Sequence, residues 1–207
     1  MCNFELFLCL YPAFLYTLVS FISYKYNSKE YENYGNKVIQ VIENIINNLY
    51  LSMPIVLLLL FYIFPITTMY EGLYIELGKT FISIISGDIW FYTFHRLFHT
   101  KYFYKYHKQH HEFKNPIGIS AFYGHWIDVI FVNFGYDFVV HSILGLSFFH
   151  WVLVFTIIII NTILNAHTVN TFDNDHVIHH RTSTYNYGVF FMDIIMGTKY
   201  YKTIQKV

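Results

Sequence analysis

Long charge-poor segments constrain this chain more than any other feature of its sequence. Windows near the length that crosses a bilayer occur at residues 4–23, 50–69, 80–94, 127–146 and 149–165. The third window is short, and we expect its helix to begin before Lys79 or to continue through His95. The fourth contains Asp128, Asp137 and His141, so we expect it to tilt, bend or pack against neighbours. Because 55% of the residues are hydrophobic and only 13% are charged, the sequence predicts an all-α integral membrane protein with four to five transmembrane helices.

The basic residues indicate how these helices are oriented. If the end of the third window faces the cytosol, the cytosolic segments 25–48, 96–116 and 167–207 contain three, five and four Lys or Arg residues, which is 12 of the 13. Lys79 is the exception. Because short cytosolic loops are enriched in basic residues, we expect five crossings with the amino terminus on the opposite side. A net charge of zero gives no electrostatic case for a nucleic-acid partner.

The amino-terminal part is expected to anchor the chain. The first window lacks a preceding basic region and a following small-residue cleavage site, so we interpret it as a retained anchor rather than a secretory signal. Apolar residues at helical spacing in the segment 28–48 are typical of an amphipathic helix on the membrane surface or of an ordinary connector helix. These residues are Val38, Val41, Ile42, Ile45 and Ile46.

Eight of the twelve histidines fall in three tight clusters between the windows: His95 and His99; His107, His110 and His111; His176, His179 and His180. Spacings of three and four residues place side chains on one face of a helix. We therefore expect each cluster to aim its imidazoles at one point, and the three together to supply nitrogen for two metal ions. Neutral imidazole suits zinc, copper, iron and nickel, whereas Cys2 and Cys9 lie too far upstream to indicate a thiolate site. Unrelated surface or core histidines are the alternative.

The surroundings of the clusters make further predictions. One unbroken helix would rotate His107 about 80° away from His99, so we expect a bend or break within residues 100–106. Ligating histidines usually donate their second N–H to a carboxylate or carbonyl. The carboxylates near enough in sequence are Glu112, Asp128, Asp173, Asp175 and Asp193, each with a solvated surface role as the alternative.

Four more histidines lie outside the clusters. We expect His167, which follows the last window, to complete the ligand set. His125 precedes the fourth window, and its role as a ligand, as a residue that orients a ligand, or as a helix cap stays open. His141 and His150 fall within or at the far ends of the windows, where packing or hydrogen-bonding roles are expected.

These residues resemble the fatty acid hydroxylase and sterol desaturase superfamily, whose hallmark is the series H-x3-H, H-x2-HH and H-x2-HH. The first two clusters, with Tyr102-Phe-Tyr-Lys-Tyr before His107, Glu112-Phe113 after His111, and then Asn115-Pro116, are similar to its methylsterol monooxygenases. The third cluster, followed by Tyr185-Asn-Tyr-Gly188, Asp193 and Gly197-Thr198, is at least as similar to its sterol carbon-5 desaturases. The resemblance covers residues 80–200.

The resemblance implies a non-haem di-iron site that uses dioxygen to hydroxylate or desaturate a sterol or another lipid, with sterol biosynthesis favoured. It implies a multi-pass protein of the endoplasmic reticulum membrane with a cytosolic, histidine-rich helical cap. Electrons would come from NADPH or NADH through cytochrome b5 and its reductase, neither cofactor being bound by this chain. The expected iron ligands are His95, His99, His107, His110, His111, His167, His176, His179 and His180, with His125, Asp128, Asp175 and Asp193 as additional or supporting residues.

Two departures from the family pattern keep other functions open. The family's His-Pro-x-Glu/Asp element is His125-Trp126-Ile127-Asp128 here, and the interval from His167 to His176 is short. They allow a catalytically inactive metal- or lipid-binding relative. A separate alternative is a membrane electron carrier with a bis-histidine haem, for which single histidines such as His141 and His150 would be the ligands. We divide the chain into anchor helices with a connector over residues 1–79 and a catalytic domain over residues 80–207.

Overall fold

The computed structural model describes residues 3–64, 66, 69–145, 147–168 and 175–201, apart from the side chains of residues 3–5, 138 and 141, and their regular structure is helical. The helices are α1 (Asn3–Tyr34), α2 (Lys37–Ile63), α3 (Leu73–Phe98), α4 (Tyr104–His107), α5 (Trp126–Leu144), α6 (Phe148–Ala166), α7 (Asp175–Thr182) and α8 (Met192–Ile195). Helices α2, α5 and α6 include π-helical turns at Ile46–Ser52, Val129–Phe134 and Asn161–Ala166. Single 3-10 turns at His110–Glu112 and Gly118–Ser120 lie between α4 and α5.

Within the part of the chain that the structure describes, four helices are long and apolar enough to cross a membrane. They cover Leu6–Tyr34, Lys37–Ile63, Trp126–Leu144 and Phe148–Ala166. Helix α3 has 26 residues and a length of about 39 Å, which would also span a bilayer, but it includes Glu76, Lys79 and Asp88. It begins before Lys79 and continues through His95, as expected. The prediction of an all-α membrane protein with four to five such helices is confirmed.

The segment 28–48 is divided between two helices. The chain turns at Gly35, whose positive φ of 48° favours glycine, so the first part ends α1 and the second part begins α2. Val41 and Ile45 are buried against the bundle, whereas Ile42 and Ile46 are exposed. The expectation of a separate surface or connector helix over residues 28–48 is therefore wrong, because its apolar spacing comes from the start of a long helix that is half covered by its neighbours.

An apolar core joins α1, α2 and α6. The Trp151 and Phe155 rings stack with centroids 4.2 Å apart, and Phe61 of α2 meets Trp151 edge-on at 5.8 Å. The Tyr16 hydroxyl of α1 donates to the Ile119 carbonyl at 2.6 Å. Helix α3 packs on α5 and α6. The division at residue 79 stays a prediction, since it falls within the unbroken helix α3.

The long helices alternate in direction, so that their connections gather at two ends of the bundle. At one end, Lys79 donates to the Gly145 carbonyl at 3.3 Å. At the opposite end, Asn48 donates to the Gly124 carbonyl at 3.0 Å, and the Ser23 and Thr168 hydroxyls are 2.7 Å apart. The final turns of α3 and α6 and the first turn of α5 therefore lie at the same end of the bundle.

Candidate metal centre

Nine histidines converge where α3 and α6 end and α5 begins. They are the eight cluster residues and His167, and their ring nitrogens form two groups. Within each group the candidate ligand atoms all lie within 4.8 Å of one another. Group A contains His95, His99, His107, His111 and His179, and group B contains His110, His167, His176 and His180.

The Nε2 atoms of group A surround a common centre. Nε2 of His107 is 3.1 Å from that of His95 and 3.0 Å from that of His111. Nε2 of His179 is 2.9 Å from that of His99 and 3.2 Å from that of His111. Nitrogens bound to one ion at about 2.1 Å lie about 3.0 Å apart at octahedral angles and about 3.4 Å apart at tetrahedral angles. Group A therefore has the spacing of ligands around a single metal ion.

Hydrogen bonds on the outer side of the rings determine which nitrogen carries the proton. The Nδ1–H of His95 donates to the Tyr187 carbonyl at 2.7 Å, and that of His179 donates to the Tyr185 carbonyl at 2.6 Å. A carbonyl oxygen only accepts, and a neutral imidazole has one N–H. The Nε2 atoms of both rings are therefore bare lone pairs directed at the centre.

When Asp128 is ionised, the same reasoning applies to the close contact between His95 and His107. His107 Nδ1 donates to Oδ1 of Asp128 at 2.9 Å, so two Nε2 lone pairs face each other across 3.1 Å. Facing lone pairs repel unless a cation lies between them. This donor set, all neutral nitrogen, fits a transition-metal ion.

Group B is buried throughout. His110 and His167 each donate Nδ1–H to a backbone carbonyl, at 3.2 and 2.8 Å, which leaves their Nε2 lone pairs facing each other at 3.4 Å. Nε2 of His176 and both ring nitrogens of His180 have no hydrogen-bond partner among the described residues. A buried polar atom without a partner costs about 1–3 kcal/mol, and a metal ion would satisfy Nε2 of His176 and one ring nitrogen of His180.

Burial keeps the imidazoles neutral. Desolvation lowers the pKa of His99 and of His110 to about 4 and the pKa of His167 to about 3. Desolvation, reinforced by repulsion from neighbouring histidines, also holds the pKa values of His111 and His179 well below the usual range. Lone pairs that can bind a metal are therefore available at neutral pH.

The break expected between the first two clusters is present, because α3 ends at Phe98 and α4 begins at Tyr104. The expectation that each cluster aims at one point is wrong for the second and third clusters. His111 belongs to group A and His110 to group B; likewise His179 belongs to group A and His180 to group B. Adjacent residues point about 100° apart on the α-helix that carries His179 and His180 and about 120° apart on the 3-10 turn that carries His110 and His111, so each doubled histidine contributes one ring to each group.

The first turn of α5 supports group A. Asp128 is buried and accepts from His107, which fixes the orientation of that ring. His125 belongs to neither group; its Nδ1 accepts the Ile127 N–H at 3.2 Å and caps the helix. Of the roles left open for His125, capping is the one that the structure shows. Trp126 begins the helix where the family pattern has proline.

Asp193 holds the loop whose carbonyls orient two group A rings. Its carboxylate accepts the backbone N–H groups of Tyr187 at 2.8 Å and Gly188 at 2.6 Å. The Tyr187 carbonyl accepts from His95, so Asp193 orients that histidine indirectly, through the backbone of Tyr187. Asp175 forms an ion pair with Lys199, and among the described residues its carboxylate has no hydrogen bond to a cluster histidine.

Asp88 holds the same loop from the side of α3 and was not among the carboxylates expected near the site. It is buried, and its carboxylate accepts the backbone N–H groups of residues 189–192 at 2.8 to 3.0 Å. A Cβ on Gly188 would lie 3.1 Å from Oδ2 of Asp193 and 3.2 Å from Oδ1 of Asp88. The sequence did contain a signal for this role of Asp88. It is an aspartate in an apolar window, and it lies two helical turns before His95 on the same helix face.

The remaining expected residues lie apart from the two groups. Glu112 is exposed and forms an ion pair with Lys37 at 3.0 Å. His150 is buried in the bundle, with its ring nitrogens near the hydroxyls of residues 80 and 83. Asp173 and the side chain of His141 lie outside the described residues.

A cavity of about 270 Å³ borders both groups. His95 and His107 of group A line it, as do three rings of group B. It follows α3 from His95 back to Ser83, a distance of about 18 Å along the helix. Apolar side chains such as Phe91 and Ile158 form much of its wall. The arrangement would bring an apolar chain from the membrane next to bound metal ions.

Fold and site together define a class, namely helical membrane proteins with a histidine-rich site suited to two metal ions. The family model described as fatty acid hydroxylase matches residues 80–198, which is 119 of the 207 residues. The chain belongs to the fatty acid hydroxylase family.

The curated relatives are sterol enzymes by name. Methylsterol monooxygenase 1 of Rattus norvegicus is 29% identical over 137 residues, which is 63% of this chain and 47% of that protein. Methylsterol monooxygenase 1 of Gallus gallus is 41% identical over 64 residues, 30% and 22% of the two chains. C-4 methylsterol oxidase of Candida albicans is 42% identical over 55 residues, which is 26% of this chain and 18% of that protein. The chain thus spans about half or less of these relatives' lengths, and no solved structure is significantly similar to it.

Proposed function

We propose that this chain is a membrane-bound di-iron oxidase that uses dioxygen to hydroxylate or desaturate a lipid, with a sterol as the favoured substrate. The observation that carries the proposal is the pair of adjacent imidazole groups beside a cavity between membrane helices. Membership of the fatty acid hydroxylase family supports a lipid substrate. The names of the relatives favour a sterol.

Groups A and B would each hold one iron ion. Imidazole is a suitable ligand for iron, and neither group includes a carboxylate. Asp128 stands directly behind His107 and offsets part of the positive charge. Bound iron would supply the activation of dioxygen and the removal of hydrogen from an unactivated C–H bond, a step that hydroxylation and desaturation share.

The residues of the chain position the ligands, bind the lipid and exclude water. The carbonyls of Tyr185 and Tyr187 keep two group A rings in one tautomer and orientation. The apolar walls of the cavity hold the hydrocarbon of the substrate and keep water from the reacting carbon. His99 is half-buried, whereas the rings of group B are buried, so group A lies closer to the surface of the protein.

We further propose that the site faces the cytosol from the endoplasmic reticulum membrane. The alternation of the long helices supports this orientation, because it brings all three clusters to one end of the bundle. The distribution of Lys and Arg assigns that end to the cytosol. The endoplasmic reticulum itself follows from the resemblance alone.

Electrons would reach the site from NADPH or NADH through cytochrome b5 and its reductase. Lys101, Lys105 and Lys108 are exposed beside group A, and we expect them to dock an acidic carrier with an on-rate that falls as salt rises. Lys114 donates to the His180 carbonyl and Lys199 pairs with Asp175, so these two also support local structure. Lys202 lies outside the described residues.

The docking proposal is tested by changing Lys101, Lys105 and Lys108 together to glutamate and measuring turnover against carrier concentration at two salt concentrations. A weaker apparent affinity for the carrier and a smaller salt dependence are expected. Unchanged values, with protein level and metal content equal to wild type, would place the docking surface elsewhere. Contact with lipid headgroups would then be the role of these lysines.

The proposed oxidation is tested by lipid profiling of yeast mutants blocked in sterol oxidation that express this chain. New products that depend on dioxygen and disappear in His110→Ala are expected. A profile identical to that of the empty vector, from protein that retains its metal, would indicate the non-catalytic relative.

A further inference from the structure

Three asparagines line the cavity close to the histidines. Asn133 belongs to α5, and Asn161 and Asn165 belong to α6. Both helices are apolar enough to cross a membrane. Polar side chains in such helices are costly without partners and mark functional positions. The hydrogen bonds of these amides therefore indicate what the cavity binds.

The amides retain unused donors and acceptors. Asn165 Nδ2 donates to Oδ1 of Asn161 at 2.7 Å. Whichever way the two amides are assigned, the pair keeps at least one free N–H and one free oxygen lone pair. The Asn133 side chain makes no hydrogen bond to any described residue. Free donors and acceptors thus face the cavity from two helices.

The backbone places these amides in unusual turns. Asn133 lies in the π-helical turn Val129–Phe134, and Asn161 and Asn165 lie in the turn Asn161–Ala166. Single π-helical turns are rare and often coincide with functional sites. The third such turn, Ile46–Ser52, does not line this cavity and exposes Asn47, which provides a matched control position.

The charge of the cavity wall narrows the choice of ligand. Asp88, Asp128 and Asp175 line the cavity, and no Lys or Arg is among the described residues that do. Without a basic residue on this wall, a lipid carboxylate would find a charged partner only at the candidate metal groups and not at the amides. A plain hydrocarbon would leave the amides without partners. A hydroxyl group, which both donates and accepts, matches the free groups of the amide pair.

We propose that Asn161 and Asn165, together with Asn133, bind a hydroxyl group of the lipid that this chain oxidises. Asn165 and Asn161 precede His167 by two and six residues, so the hydroxyl lies within about 10 Å of the candidate metal ligands along the helix. The amides therefore favour lipid alcohols over the corresponding hydrocarbons. This inference rests on the proposed function, and it adds the residues that recognise the substrate hydroxyl.

The test is direct binding of tritium-labelled lipids to the purified full chain in nanodiscs. Two matched pairs serve as probes: cholesterol with 5-cholestene, and hexadecan-1-ol with hexadecane. Wild type is expected to bind the alcohol of at least one pair about fivefold more tightly than the hydrocarbon, the effect of one net hydrogen bond. In Asn161→Leu/Asn165→Leu this ratio is expected to fall to about one, whereas Asn47→Leu keeps the wild-type ratio.

A wild-type chain without preference for the alcohol in either pair, including one that binds no probe, overturns the assignment. So does a double variant that keeps the wild-type preference. Product formation is measured on the same preparations. Oxidation of lipids without preference for the alcohol overturns this inference alone, whereas alcohol-selective binding without oxygen-dependent product overturns only the proposed function.

Discussion

Asp88→Asn should release the loop that orients two candidate ligands, although Asp88 is not itself near enough to be one. The carboxylate of Asp88 accepts four backbone N–H groups, two on each oxygen. Asparagine keeps one oxygen, so two N–H groups lose their acceptor and meet an amide NH₂ instead. Hydrogen bonds to a charged group contribute about 1.5–3 kcal/mol each. The expected loss is about 3–6 kcal/mol, a large part of a typical stability of about 5–15 kcal/mol.

Two measurements should respond to this substitution. The unfolding temperature in a fixed detergent should fall by at least about 6 °C, since 1 kcal/mol corresponds to about 2–4 °C for a chain of this size. The bound metal per chain should fall as well, because the carbonyls of Tyr185 and Tyr187 would no longer hold His179 and His95. Loss of such a supporting partner typically costs about 10–100-fold in metal affinity.

Glu112→Gln is the matched control. Glu112 is an exposed carboxylate whose ion pair with Lys37 contributes at most about 1 kcal/mol, so this variant should melt within about 4 °C of wild type and keep its metal. If Asp88→Asn melted like this control and retained the wild-type metal content, the view of Asp88 as the support of the loop would be refuted.

Three further predictions concern ligands, their support and topology. His110→Ala should lose more than nine-tenths of turnover while His125→Ala, which removes only a helix cap, keeps most of it; near-equal turnover would count against a catalytic role for group B. Asp128→Asn should weaken metal binding about 10–100-fold in a competition titration, and an unchanged affinity would remove Asp128 from the site. A reporter inserted within residues 71–78 should be lumenal and one fused after residue 207 cytosolic. The reverse at both positions contradicts the orientation, whereas a cytosolic result within 71–78 alone indicates a re-entrant hairpin.

The number of the long helices and the convergence of the nine histidines could be predicted because both depend on local pattern, but the second long helix begins at Lys37, thirteen residues before the expected window. Charge-poor windows identify membrane helices, and spacings of three and four residues identify helix faces. The role of the nine histidines as ligands stays a prediction. The division of His110 from His111 and of His179 from His180 is also a local property, because neighbouring residues point about 100° apart on an α-helix and about 120° apart on a 3-10 turn.

Other features depend on contacts distant in sequence. Asp88 accepts from residues about one hundred positions downstream, and no local pattern indicates that partner. From the sequence alone, an aspartate in an apolar window indicates only an unfavourable free energy of burying its charge. The role of Asp193 depends likewise on the carbonyl of Tyr187 that it positions. Such supports become visible only when the backbone acceptors of the histidines are known.

The metal content of the purified chain tests the central claim, that groups A and B hold two iron ions. The measurement is the number of transition-metal ions per chain after gentle purification from iron-supplemented cells, together with an absorption spectrum. We expect about two ions per chain and no haem band in the spectrum. The ions should be iron in active preparations, and zinc should replace iron when the protein is overexpressed beyond the iron supply. A content near zero, or one iron per chain carried by haem, would contradict the account.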